Sequence, residues 1–191
     1  MRIRTTVLVV VLLVTSTGTL FAQAVELDFR LGYSTPAGAL AELENGGVAA
    51  GAALGFAISP SVVLAVRIDA ELLGGADRIT FDSELEKEWP DLTAIQFTGE
   101  VAYRTGATRD WMLEIGLGAG ASTFSFEDAG SALYPALSGR VSGGVRVSDR
   151  AALFAVGQTY FVFSDSEDFE DLARFDDAWL LTLMAGVRLS L

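Results

Sequence analysis

The stretch Ala178–Leu191, AWLLTLMAGVRLSL, decides the fold. Every second residue, Trp179, Leu181, Leu183, Ala185, Val187, Leu189 and Leu191, is apolar, whereas Ala178, Leu180, Thr182, Met184, Gly186, Arg188 and Ser190 between them are on the whole small or polar. Period-two alternation indicates a β-strand, because successive side chains point to opposite faces of a sheet. An open apolar edge of this kind invites aggregation in water and is acceptable where the strand pairs into a closed barrel in lipid.

The alternation recurs upstream. Val25 to Ser34 sets Val25, Leu27, Phe29, Leu31 and Tyr33 against Glu26, Asp28, Arg30, Gly32 and Ser34, and Val48 to Ser59 sets Val48, Leu54, Phe56 and Ile58 against Gly51, Gly55 and Ser59. Val62 to Leu72 opposes Val62, Leu64, Val66, Ile68 and Leu72 to Arg67, Asp69 and Glu71; Ile95 to Arg104 opposes Ile95, Phe97, Val101 and Tyr103 to Gln96, Thr98, Glu100 and Arg104. Trp111 to Phe124 places Trp111, Leu113, Ile115 and Leu117 opposite Glu114, Gly116, Gly118, Gly120 and Ser122. Leu133 to Ser148 places Leu133, Leu137, Val141, Val145 and Val147 opposite Ser138, Arg140, Ser142 and Arg146. Ala151 to Phe163 fits neither register cleanly, which predicts a bulge or an inward aromatic there. With the last stretch this makes eight strands, an even number of segments of about ten residues or more, as a transmembrane barrel requires.

Residues 1–24 read as a cleaved secretory signal: Arg2 and Arg4, the apolar run Val7 to Val14, then the small-residue site Ala22-Gln23-Ala24. The run is short and broken by Thr15, Ser16, Thr17 and Gly18, which argues against an uncleaved anchor. Residues 25–191 are then one domain, an all-β, eight-stranded antiparallel up-and-down transmembrane β-barrel. Nowhere is there an apolar run of the roughly 20 residues that a membrane helix needs. The sequence has no cysteine, which excludes disulfides, thiolate metal sites and a lipoprotein anchor.

Alternation does not say which face points outward, and a soluble lipocalin-type barrel also has eight strands, with the apolar face inside. Composition decides. A soluble barrel needs a well-charged exterior, about 25–35%, whereas this chain has a single lysine, Lys87, and its second face is built largely of Gly, Ala and Ser. The connections expected to be long, near residues 35–47, 73–92, 125–132 and 164–177, alternate with short ones near 59–61, 105–110 and 148–150. The final strand, with Gly186 ahead of alternating apolar residues, resembles the C-terminal strand of small outer-membrane barrels of the OmpA and OmpX type. It departs from them in ending on Leu191 where an aromatic is usual.

That resemblance implies an outer-membrane location in a diderm bacterium, lipid around the barrel, assembly by the barrel-assembly machinery through the last strand, and a monomer. It puts the short turns in the periplasm and the long loops outside the cell. On those strand directions Phe56, Tyr103 and Trp111 fall at periplasmic ends and Tyr33, Phe161, Phe163 and Trp179 at outer ends, as two interface girdles. The long connections carry seventeen acids, Glu44 among them, against Arg78, Lys87 and Arg174. An extracellular protein or surface partner is the expected contact for these acidic loops, and nucleic acid is not.

By parity the lumen receives Glu26, Asp28, Asp69, Glu71, Glu100 and Glu114 against Arg30, Arg67, Arg104, Arg140, Arg146 and Arg188, six facing six. Eight strands leave an interior just wide enough for side chains to fill, so a charge-paired plug is expected. Other motifs carry less. Gly116-x-Gly118-x-x-Ala121 matches a dinucleotide fingerprint but lies inside an alternating strand rather than opening a helix. The acidic clusters Asp165, Glu167, Asp168, Glu170, Asp171 and Asp82, Glu84, Glu86, Glu88 offer oxygens suited to calcium or magnesium, but neither has the spacing of a calcium loop, and acidic runs are usually solvated faces. Segments 35–45 and 166–175 read equally as short helices or irregular loop. No histidine is present, and the barrel enzymes of this membrane use one as base, so neither catalysis nor a cofactor is expected. The leading role is a structural or surface-interaction barrel, adhesion included. The alternative is a narrow OmpW-like channel for ions or small hydrophobic solutes.

Overall fold

Each alternating segment becomes a strand whose backbone groups must find partners on both sides, and closing the sheet on itself is what leaves no edge unpaired. The computed structural model describes residues 24–42, 44–75, 79–81, 85–87, 91–106, 110–126, 130–163 and 177–191. Its strands are β1 (Ala24–Ala37), β2 (Glu44–Ser59), β3 (Val62–Gly75), β4 (Ile79–Phe81), β5 (Leu85–Lys87), β6 (Leu92–Thr105), β7 (Trp111–Phe126), β8 (Gly130–Ser148), β9 (Ala151–Val162) and β10 (Ala178–Ser190). Eight of them close an antiparallel up-and-down barrel in the order β1-β10-β9-β8-β7-β6-β3-β2, and β4 pairs with β5 in a separate two-stranded sheet. The seam is complete: β1 pairs with β10 from Glu26↔Ser190 to Ala37↔Trp179. One end, where β1 begins and β10 finishes, carries the short connections at 60–61, 106–110 and 149–150 and is called the turn end; the other is the loop end.

The exterior is apolar. Leu117 and Leu183 are 72% and 70% exposed, and Phe29, Leu31, Ile68, Phe97, Val101, Ile115, Val141 and Leu153 are likewise exposed, so the belt runs round the barrel. A continuous apolar surface of this extent is incompatible with water and matches the hydrocarbon of a bilayer. Tyr33, Tyr103, Trp111, Phe163 and Trp179 are exposed, while Phe56 and Phe161 are half-buried. Phe161 packs against Phe163 and Trp179, each with ring centroids 4.7 Å apart, at the loop end. Phe56, Tyr103 and Trp111 lie near the turn end.

Several boundaries differ from the sequence expectation. The connection expected over 125–132 is not long: β7 runs to Phe126, β8 starts at Gly130, and those two residues pair, leaving 127–129 between them. The reason is a local inversion of the pattern. On this corner Thr93, Thr123, Ser125 and Ser131 point away from the lumen, while Leu92, Ala94, Phe124 and Phe126 are buried within it. Strands continue, but with the polar face outward, so the apolar-outward rule stops recognising them. Gly130 takes a φ of 90°, a conformation open to glycine and costly for other residues.

Likewise β1 continues through Pro36 to Ala37, and only Gly38–Glu42 form a short 3-10 turn. The 73–92 connection holds the end of β3 and the β4–β5 hairpin. Segment 166–175 lies outside the described residues. In β9 the ambiguous register resolves into two inward aromatics, Phe154 and Tyr160, with a register shift opposite its start between Arg146 and Ser148.

Candidate functional site

Among the described residues, buried charge gathers in the lumen. Alternation aims Glu26, Asp28 and Arg30 of β1, Arg67, Asp69 and Glu71 of β3, Glu100 and Arg104 of β6, Glu114 of β7, Arg140 of β8 and Arg188 of β10 inward, and all eleven are buried. Arg146 is the exception. It is exposed at the turn-end mouth, because β8 there slips register just before its turn and the strand has left the enclosed part of the barrel.

Near the turn end the charges interlock between strands, some of them neighbours and some across the lumen, rather than along one strand. Arg104 forks onto Glu26 on the far wall, through Nη1 to Oε1 at 2.7 Å and through Nη2 to Oε2. Arg188 forks onto Asp28 at 2.7 and 2.8 Å. Glu114 joins the two pairs: its Oε1 accepts from Arg104 Nε and Arg188 Nη1, both at 2.5 Å, and its Oε2 accepts from Arg140 at 3.1 Å and Arg188 Nη2 at 3.0 Å. Arg140 also holds Glu100 through Nη2 at 2.8 Å and donates to Ser142 Oγ at 2.6 Å. Arg67 Nε stands 2.9 Å from Glu100, close enough for an ion pair although its N–H does not point at the oxygen. Four arginines and four carboxylates are thus gathered in one layer, where forked, charge-assisted hydrogen bonds offset the cost of desolvating them.

The middle of the lumen is polar but sparser in charge. Asp69 accepts from Arg30 Nη2 at 2.7 Å, Gln158 Nε2 at 3.1 Å and Tyr160 Oη at 2.5 Å. Glu71, fully buried, accepts from Thr182 Oγ1 at 2.8 Å, and that hydroxyl lies 3.1 Å from Ser34 Oγ. Gln158, Tyr160, Thr182 and Ser142 were not singled out from sequence. The available signal was that they share inward parity with Arg140 and Arg188, which for β9 required knowing its register.

Toward the loop end the interior becomes apolar. Leu40 from the 3-10 turn, Leu73, Leu92, Phe124, Phe126, Tyr134, Tyr160, Val162 and Leu180 form one buried cluster. Glu44, expected among the loop acids, instead opens β2 and is buried at 2% exposure. Its carboxylate oxygens find no hydrogen-bond partner among the described residues. The bulge between Glu44 and Gly47 turns this side chain inward, which no spacing in the sequence announces. The acidic cluster Asp165, Glu167, Asp168, Glu170 and Asp171 lies outside the described residues, and among the described residues no group of three or more acidic side chains is arranged to hold a metal.

This architecture recurs in solved structures. Neisserial surface protein A matches at 12% identity with a TM-score of 0.64, over 86% of this chain and 96% of that one. The chain has the fold of the small eight-stranded outer-membrane barrels. A major outer membrane protein from Thermus thermophilus matches with a TM-score of 0.57 at 10% identity, over 88% of this chain and all of that one. The outer membrane protein OprG from Pseudomonas aeruginosa matches with a TM-score of 0.54 at 10% identity, over 90% and 98%. No protein-family model and no curated protein matches the sequence. At such identities the likeness speaks for the fold, and the role must be argued from the lumen and the surface.

Proposed function

We propose that the chain, after removal of residues 1–24, is a structural or surface-interaction barrel of the outer membrane, closed to solutes, whose acidic loops meet partners outside the cell. What supports this reading is that interlocked ion pairs cross the lumen near the turn end, a sparser polar set occupies its middle and apolar side chains pack together toward the loop end. A conduit needs a continuous space for its solute, and side chains tied across the lumen leave none. The lumen charges act as a structural plug, the outward aromatics as anchors at the two lipid interfaces, and the acids of 165–171 as part of a negatively charged face. No residue has a catalytic role.

The competing reading, a narrow channel, draws on a vestibule of about 100 Å³ at the turn-end mouth, lined by Arg104, Asp110, Arg146 and Asp149 among others. The two are separated on cells. External protease on intact cells cuts near Arg78, Lys87 or Arg174 and spares Arg109 and Arg150. The same treatment abolishes adhesion or surface contact and leaves solute uptake unchanged. Cleavage only after the cells are opened contradicts the orientation, and uptake that depends on the barrel contradicts the interaction role.

A further inference from the structure

Arg67 is held less completely than the arginines around it. Arg104, Arg140 and Arg188 each donate several well-directed hydrogen bonds to carboxylates. Arg67, only 2% exposed, has one misdirected contact to Glu100, and its Nη1 finds no partner among the described residues. A buried guanidinium N–H aimed at nothing is costly, and native interiors satisfy such groups with protein or with bound water.

Beside Arg67 lies a small cavity of about 10 Å³, walled by Glu26, Asp28, Glu114, Arg188 and the bare backbone of Gly55 among others. That is roughly the room one water needs. Its charged walls, Arg67, Arg140 and Arg188 against Glu26, Asp28 and Glu114, balance three to three, so it calls for a neutral, dipolar guest. We propose that this cavity binds one water molecule, which accepts from Arg67 Nη1 and donates to the lining carboxylates. The turn-end vestibule shares Glu26 and Arg188 as walls with this cavity, so the water exchanges with that side; the apolar cluster shuts the other. The link from β3 into the ion-pair layer therefore runs partly through solvent. The inference stands on the geometry of the lumen and is independent of the role proposed for the loops.

Solid-state NMR of the barrel in lipid bilayers, with nitrogen-labelled arginine, reads magnetisation transferred from bound water to each guanidinium. Transfer to Arg67 is expected, and Arg67→Lys identifies the signal by removing it. Gly55→Ala is the second arm. Its new Cβ stands 3.4 Å from Val63 Cγ1 and 3.6 Å from Glu26 Cβ, ordinary contacts, yet places a methyl on the cavity wall. It should abolish the transfer and lower the thermal unfolding midpoint. Absence of transfer to Arg67 in the wild-type barrel, or transfer that survives Gly55→Ala, overturns the assignment. A raised midpoint in Gly55→Ala also overturns it, because that is the result of filling a void nothing occupied.

Discussion

At the loop end of the lumen Phe124, Phe126, Leu73, Leu92 and Leu180 pack together, with the buried Glu44 at the same end, whereas at the turn end Arg67, Arg104, Arg140 and Arg188 interlock with Glu26, Asp28, Glu100 and Glu114. Both halves are reached by the same inward parity on the same strands. They are closed by different physics. Apolar packing is non-directional and depends on volume, so it tolerates a change of shape that keeps the bulk. A buried ionic layer depends on count and direction, because one missing partner leaves an uncompensated charge where water cannot reach it.

That contrast is sharpest in a pair of truncations. Glu114→Ala removes the group that three arginines share and should destabilise the barrel by about 3–5 kcal/mol. Phe124→Ala opens a void in the apolar cluster and should also cost about 3–5 kcal/mol. The replacements that preserve shape or bulk should then part company. Glu114→Gln keeps the shape but not the charge and should recover little, while Phe124→Leu should recover most. Urea unfolding from lipid vesicles measures all four, and equal recovery in both halves breaks the distinction.

A smaller effect tests where the lumen stops and the lipid begins. Leu183, 70% exposed on the outer wall of β10, becomes a charge in hydrocarbon as Leu183→Arg, at about 2–4 kcal/mol near the bilayer midplane. The loss of heat-modifiable, folded barrel on gels reports it.

Tyr160 sits where the polar and apolar parts of the lumen meet, its ring in the apolar cluster and its hydroxyl donating to Asp69. Tyr160→Phe keeps the ring and should cost about 1.5–3 kcal/mol, the range for a hydrogen bond to a charged group. A cost near zero would mean that Arg30 and Gln158 already satisfy Asp69. The smallest effect expected is that of salt. Raising it from about 0.1 M to about 1 M screens exposed pairs but hardly reaches buried ones, so the wild-type unfolding free energy should move by less than about 1 kcal/mol.

The sequence made the inward face legible because its period needs no knowledge of depth. Glu26, Asp28 and Arg30 alternate with Leu27, Phe29 and Leu31, and once composition has set the apolar face toward lipid, parity alone places them inside. Depth along the strand was not legible. Leu180 reads as a member of the small and polar face, and Leu73, Leu92 and Phe126 fall in segments expected to be loops, because at the loop end the inward face turns apolar and, on the corner of β6, β7 and β8, the outward face turns polar. Glu44 was lost to the same region, where a bulge rather than a period sets its direction. Arg146 fails for a simpler reason: it has the right parity but lies beyond the enclosed length of the barrel.

The central claim is that both halves together close the lumen, and single-channel recording of the purified wild-type barrel in planar lipid bilayers tests it most directly. The account predicts a silent baseline with no stable, resolved conductance steps under applied voltage. A large and stable conductance from the wild-type protein would contradict it and make the channel reading the leading one.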